Sequence, residues 1–336
     1  MAEHAQDPSI PVVDAQWLMA PGRVRAQAVR QIAAAAEDWG FFQLIGHGVP
    51  RVHRERLLRA QRGFFDLPMA HKLAVARSAA NARGYNPGEF TKNRRDAKEI
   101  FDFGHKPDPA AADDAEVNRV VDGWNQFPTG LAGFRETTWR WYGYCESLAF
   151  ILLGAFAEGL GLPGETLERG FGAEHTSFLR LNDYPPQDDP APADAADLPE
   201  QGRLGIHHHT DAGVLTLLIQ EGMTALQVRR HGRWHLVEPE DDAFIVNIGD
   251  MMQVVSNDRF KAPEHRVLAT PAGGHRQSAA FFFNPAYDAL IAPDPLLAGP
   301  AARYRPFTWG EFRSRRADGD YADLGEEVQI SQYRRD

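Results

Sequence analysis

Between Phe178 and Asn284 the chain breaks into short β-rich runs separated by turn residues, a pattern that few architectures accommodate. The runs are Phe178–Tyr184, Val214–Gln220, Leu226–Arg230, Arg233–Val237, Ala243–Ile248, Met252–Ser256, His265–Ala269 and Ser278–Asn284. His231-Gly232 and Gly249-Asp250 read as hairpin turns. Strands this short and closely spaced suggest a sandwich or a double-sheet jelly roll.

The first half has the helical period instead. In Arg25–Trp39, Val29, Ile32, Ala33, Ala36 and Trp39 recur at helical spacing, and Gly40 is placed to end the helix. A β-like run, Phe41–Ile45, follows. Arg51–Phe65 then returns to helical spacing and stops before Pro68. Residues 81–104 are polar and contain glycine, so loop with short strands is expected there. A third helix near Arg135–Gly159 carries an apolar stripe that includes Cys145. A thiol on such a stripe, with no basic neighbour to lower its pKa, is expected to be an inert core group. Pro185–Gln201, rich in Pro, Ala and Asp, reads as a surface loop, either mobile filler or a lid. No repeat of fixed period is visible.

Composition narrows the function. Hydrophobic residues make up 43% of the 336 positions, an ordinary globular value that argues against wholesale disorder. The formal net charge of −10 disfavours a nucleic-acid or anionic-membrane surface as the main partner. A single cysteine excludes an intrachain disulfide and fits a reducing compartment. The start has no secretory pattern, and the longest apolar stretch, around Leu148–Phe156, is far short of a membrane span. A cytoplasmic protein is expected.

The chemistry concentrates at His209-Thr210-Asp211, just before the strand-like Val214–Gln220. In an extended segment residues i and i+2 project to one side, so an imidazole and a carboxylate can converge. His265, at the start of another β run, supplies a second imidazole. Two His and one carboxylate on one face of an octahedral ion leave three positions open, the arrangement of non-haem Fe(II) oxygenases. Zinc more often takes a closed tetrahedron, and there are too few Cys for a thiolate site. Arg276 and Ser278 share a face by the same spacing, and a guanidinium fork with a hydroxyl suits a carboxylate. Arg180, Asn182 and Tyr184 alternate with Leu179, Leu181 and Asp183, which suggests one polar face directed into the barrel.

These segments, in this order, resemble a known family. IPVVD, AEDWGFFQLIGHGVP, FFDLP, RGYNPGEF and DAKEIFDFG are similar to the N-terminal region of the 2-oxoglutarate/Fe(II)-dependent dioxygenases of the isopenicillin N synthase-like type. LRLNDYPP, HHHTDAGVLTLLIQ, LQVRRHGRWHLVEP, AFIVNIGDMMQVVSNDRFKAPEHRV and HRQSAAFFFNP resemble its catalytic core. The resemblance implies a mainly β fold with flanking helices: a double-stranded β-helix core and a helical N-terminal region. It implies residues 1–120 as that N-terminal region, and 121–336 as the catalytic region with its long preceding helix and C-terminal extension. It implies metal ligands at His209, Asp211 and His265, and 2-oxoglutarate contacts at Arg276, Ser278, Asn182 and Tyr184. The expected cofactors are Fe(II), 2-oxoglutarate as cosubstrate, and O2, acting on a small-molecule substrate of the kind met in secondary metabolism. Departures from the family pattern fall at Gly46, Asp183 and the long Pro185–Gln201 segment.

Several other residues invite a role. His208 should face away from the ion, and His207, on the face of His209, would close a position that O2 or cosubstrate needs. Asn247 and Asp250, beside a glycine turn, are expected to satisfy backbone groups. Arg266 is expected to form an ion pair, and the run Tyr304, Arg305, Phe307 and Trp309 to pack, with substrate contact as the alternative. Two competing functions remain: a family oxidase needing no 2-oxoglutarate, and a non-catalytic jelly roll binding a metal or metabolite.

Overall fold

The structure, a computed structural model, describes residues 9–20, 22–92, 94–105, 122–172, 174–195, 201–321 and 328–335. The strands in chain order are Val12–Asp14 (β1), Phe41–Ile45 (β2), Gly84–Asn86 (β3), Phe90–Thr91 (β4), Arg94–Arg95 (β5), Glu99–Gly104 (β6) and Phe178–Asp183 (β7). They continue with Leu204–His209 (β8), Leu215–Gly222 (β9), Leu226–Arg230 (β10), Arg233–Leu236 (β11), Phe244–Ile248 (β12), His265–Leu268 (β13) and Arg276–Phe283 (β14). Among the described residues one sheet of eight strands runs β1-β2-β12-β9-β14-β7-β6-β3, and one of four runs β11-β10-β13-β8. Pairing is antiparallel except between β1 and β2. The two sheets form the expected double-stranded β-helix.

Both faces of the large sheet are buried, but against different partners. The helices Arg23–Asp38 (α1), Arg51–Phe65 (α2) and Phe134–Gly159 (α3) cover its outer face. Leu215, Leu217 and Ile219 of β9, Phe281 and Phe283 of β14, and Leu179 and Leu181 of β7 pack with Ile32, Leu57, Phe64 and Leu152 there. The alternate residues face the barrel: Thr216 and Leu218 of β9, Ser278, Ala280 and Phe282 of β14, Arg180 and Asn182 of β7. Period two therefore sorts each strand into a core half and a cavity half.

The helices match their sequence pattern closely. Arg51–Phe65 has the expected bounds, and Gly40 follows the first helix at φ 65°, a left-handed conformation that glycine adopts without strain. His231 and Gly232 (φ 49° and 80°) close the β10–β11 hairpin, as expected.

Three expectations differ. Met252–Ser256 is not a strand: Asp250–Val255 is a short helix (α4), with Met251, Met252 and Val254 buried. Five residues of which Met252, Val254 and Val255 are apolar fit either period, and burial of the helical face decides it. Gly249-Asp250 is accordingly a helix start, not a hairpin turn. Leu204–His209 is a strand that sequence reading missed, its Gly and three His masking the β signal. Finally, the described part of the Pro185–Gln201 loop is anchored, not filler. Ala191 and Ala195 are buried, and Arg266 donates to the carbonyls of Ala193 and Ala195. Residues 196–200 lie outside the described residues, as does the division expected at residue 120; strands from both sides of that division share the large sheet. Among the described residues no helix is long and apolar enough to cross a membrane.

Cys145 is fully buried on α3, and burial pushes its thiol well above the ordinary range. The folded protein is therefore expected to resist alkylation by iodoacetamide at neutral pH and to react once denatured. Rapid labelling of the native chain, followed by mass spectrometry, would contradict this packing.

Candidate active site

β8 pairs with β13 so that His209 lies opposite His265, their ring centroids 4.2 Å apart. The chain leaves β8 at His209, and Asp211 comes from the turn that follows, not from the strand as the spacing had suggested. That turn is held from below. The Asp250 and Met251 amides at the start of α4 donate to the carbonyls of Asp211 and Gly213 at 2.8 and 3.0 Å. These are N–H groups that a helix start leaves without an intrahelical partner. A Cβ on Gly249 would lie 2.2 Å from the Gly213 carbonyl oxygen, so only glycine permits this approach. Arg316, from the C-terminal helix Trp309–Tyr321, donates to the Thr210 carbonyl at 2.8 Å.

The three side chains converge. Asp211 Oδ1 stands 3.5 Å from Nε2 of both His209 and His265, and the ligand atoms of all three lie within 4.8 Å of one another. Asp211 Oδ2 accepts from Asn247 Nδ2 at 2.8 Å and from the Thr216 hydroxyl. His209 Nδ1 is 2.8 Å from the His207 carbonyl and His265 Nδ1 is 3.3 Å from that of Pro263. A carbonyl only accepts, so each Nδ1 carries the hydrogen and each Nε2 presents its lone pair to the centre. Burial works to raise the Asp211 carboxyl, but the His265 and His209 imidazoles hold it well below the usual range. Burial, with the like charge of His265, pushes His209 down to about 4. Burial works to lower the His265 imidazole, but Asp211 outweighs it and raises that imidazole above its ordinary value, so a divalent cation binding here would displace a proton from it.

Arg276, Ser278, Asn182 and Tyr184 line the same cavity as this triad. Asn182 Nδ2 and the Tyr184 hydroxyl each lie 3.3 Å from Ser278 Oγ, and the Arg276 guanidinium sits 4.2 Å from the Tyr184 ring centroid. Arg276 is 1% exposed and donates one hydrogen bond, from Nη2 to Gln220 Oε1 at 3.1 Å. Its Nε and Nη1 are buried without a hydrogen-bond partner, as are Asn182 Oδ1 and Gln220 Nε2. A buried, unmet guanidinium edge is costly, and a carboxylate arriving in its plane removes the deficit. The residues present therefore fit both a divalent metal and an anionic cosubstrate.

A second compartment adjoins the triad on the side of the C-terminal helix, walled by Phe90, Phe178, Phe282, Trp309, Arg180 and Arg313. Buried charges brace it. Arg180 pairs with Glu89 at 2.6 Å and Asp102 at 2.8 Å, and Lys98 with Glu89 at 2.6 Å and Asp96 at 3.2 Å. Burial works to raise the Glu89 carboxyl, but Arg180 and Lys98 outweigh it and hold it at about 2.

Sequence reasoning missed Thr216, Asn247 and Gln220. Asn247 was expected to satisfy backbone groups, yet it holds the Asp211 carboxylate. The available signal was a lone polar residue inside an apolar strand. Arg266, expected to form an ion pair, ties the 185–195 loop to Gln227 and lies over Trp234. His208 does turn outward, 4.0 Å from Glu264, and Tyr304, Phe307 and Trp309 are buried, although Trp309 also walls the second compartment.

Comparison with known proteins agrees with this geometry. Residues 175–285 match the 2OG-Fe(II) oxygenase superfamily, and residues 10–130 match the N-terminal region described as non-haem dioxygenase in morphine synthesis. The chain is 32% identical to gibberellin 2-beta-dioxygenase 5 of Oryza sativa subsp. japonica, over 97% of its own length and 87% of that relative. It is 32% identical to a 1-aminocyclopropane-1-carboxylate oxidase of Musa acuminata, over 93% and 95% respectively. The crystal structure of JOX2 in complex with 2OG, Fe and JA superposes with a TM-score of 0.78 at 27% identity, covering 98% of this chain and 90% of that one. Matched over nearly its whole length in sequence and in fold, the chain belongs to the plant-type 2OG-Fe(II) oxygenase superfamily.

Proposed function

We propose that His209, Asp211 and His265 hold Fe(II) and that Arg276, with Ser278, Asn182 and Tyr184, binds 2-oxoglutarate for the oxidation of a small-molecule metabolite. One observation carries this reading: an open-sided set of two imidazoles and a carboxylate shares a cavity with a buried arginine whose N–H edge is unmet. When bound, iron, 2-oxoglutarate and O2 supply the oxidising chemistry, with succinate and CO2 as by-products. The protein's own part is positional. The His207 and Pro263 carbonyls aim the two Nε2 atoms, and Asn247 and Thr216 leave Asp211 Oδ1 facing the ion. Arg276 orients the cosubstrate through its distal carboxylate.

The aromatic compartment beside the triad is the substrate pocket in this reading. Phe90, Phe178, Phe282 and Trp309 offer flat apolar walls that exclude water and select which C–H bond meets the oxidant. Hydroxylation, desaturation and cyclisation all follow from that choice. The two family matches support reading residues 1–120 as the N-terminal region and 121–336 as the catalytic region. The single, buried cysteine and the acidic balance support a cytoplasmic enzyme with no nucleic-acid or membrane partner. A second reading, an oxidase that needs no 2-oxoglutarate, is favoured by the likeness to 1-aminocyclopropane-1-carboxylate oxidase. Succinate formed only when a candidate metabolite is added supports the first reading; metabolite oxidation without succinate supports the second.

Four substitutions test the assignments. His209→Ala and Asp211→Ala should each abolish substrate-dependent O2 consumption, and activity retained in either removes that residue from the triad. Arg276→Ala should raise the 2-oxoglutarate requirement by one to two orders of magnitude, since a charge-assisted hydrogen bond contributes roughly 1.5–3 kcal/mol. An equal rise in the KM of the metabolite would refute a role specific to the cosubstrate. Asn247→Ala should weaken Fe(II) binding by about 10–100-fold, the usual loss for a residue that orients a ligand. Anaerobic iron titration measures it, and an unchanged affinity would show that Asn247 does not position Asp211.

A further inference from the structure

Two more imidazoles and a carboxylate converge on the helix side of the large sheet, and none of the three lines the cavity described above. His105 follows β6, His175 precedes β7, and Glu146 projects from α3. Glu146 Oε1 lies 3.0 Å from His175 Nε2 and 3.6 Å from His105 Nδ1, and the three ligand atoms fall within 4.8 Å of one another. These spacings bracket the 3.5 Å separations at the His209, Asp211 and His265 triad. Two donors each about 2 Å from a tetrahedral zinc ion lie roughly 3.3 Å apart, within the same bracket.

The hydrogen bonding also points to an ion. Glu146 Oε1 is buried yet accepts no hydrogen bond, although His175 Nε2 stands at hydrogen-bonding distance. His175 Nδ1 is engaged 2.9 Å away by Ser177 Oγ, which also receives the Asn284 amide at 3.0 Å, so the ring is held from its far side. A carboxylate oxygen and two ring nitrogens that converge on one point are complementary to a shared cation.

We propose that His105, Glu146 and His175 form a second divalent-cation site, of the class that binds zinc, fastening the long helix α3 to the β6–β7 pair. The side chains of His105 and Glu146 are 28% and 29% exposed, so the open coordination position faces solvent and admits the ion.

The test uses the full chain carrying His209→Ala and His265→Ala, which removes both imidazoles of the first triad. After chelation and dialysis it is titrated with zinc chloride, reading bound zinc by mass spectrometry and Tm by calorimetry. One equivalent of zinc per chain and a zinc-dependent rise in Tm are expected. His105→Ala and, separately, His175→Ala in that background should each lose the equivalent and the rise. His105 is the more exposed of the two, so its variant guards against a folding defect at His175, and the metal-free Tm of each checks the fold. No zinc bound by the parent double variant, or a full equivalent kept by the His105→Ala variant, would overturn the site.

Discussion

The pairing of β8 with β13 is the constraint on which the active site depends. It sets His209 opposite His265 across the small sheet, and a slip of one residue would turn one imidazole to the other face. Directly opposed residues bring side chains near enough to share an ion, even though they are far apart in the chain. The third donor reaches them from a turn whose backbone carbonyls are held by the α4 amides, so a short helix is part of the metal geometry. Burial then does the rest. It would penalise the Asp211 charge if the two imidazoles, Asn247 and Thr216 did not surround it.

The cavity wall is built on the same economy of faces. β7, β9 and β14 each turn one apolar face to the helices and a mixed face, with Arg180, Asn182, Thr216 and Ser278 beside Leu218, Ala280 and Phe282, to the barrel, so packing and chemistry do not compete for positions. The exceptions are the buried ions of Arg180, Lys98, Glu89, Asp96 and Asp102, which bring β4–β6 and β7 together at the pocket wall. Such pairs contribute little net stability over an apolar core, because desolvation offsets the attraction. Their effect here is geometric: each charge has partners in one arrangement of the strands. Arg266 works similarly on the loop at 185–195, capturing carbonyls that would otherwise be buried unmet.

Much of this was legible in the residues alone. The alternation of Arg180, Asn182 and Tyr184 with Leu179 and Leu181 indicated a polar inner face, and the structure has that face. The helical stripes of Arg51–Phe65 and Phe134–Gly159 indicated their own boundaries within a residue. Met252–Ser256 was not legible, because so short a run, with Met252, Val254 and Val255 its apolar residues, satisfies a strand and a helix alike until a neighbour selects one face. Asn247 was misread for a related reason: its position beside a glycine turn predicted a local partner, and its partner is Asp211, far away in the chain.

The residue order by itself determined which donors exist and which of them share a face, since period two is a local property of the backbone. It also carried the family resemblance, through motifs that are contiguous. Only the tertiary structure decided that His209 meets His265, that Arg276 is buried with part of its N–H edge unmet, and that His105, Glu146 and His175 come together. Those facts depend on register between strands and on helix packing, which are set by the whole core and not by any one segment.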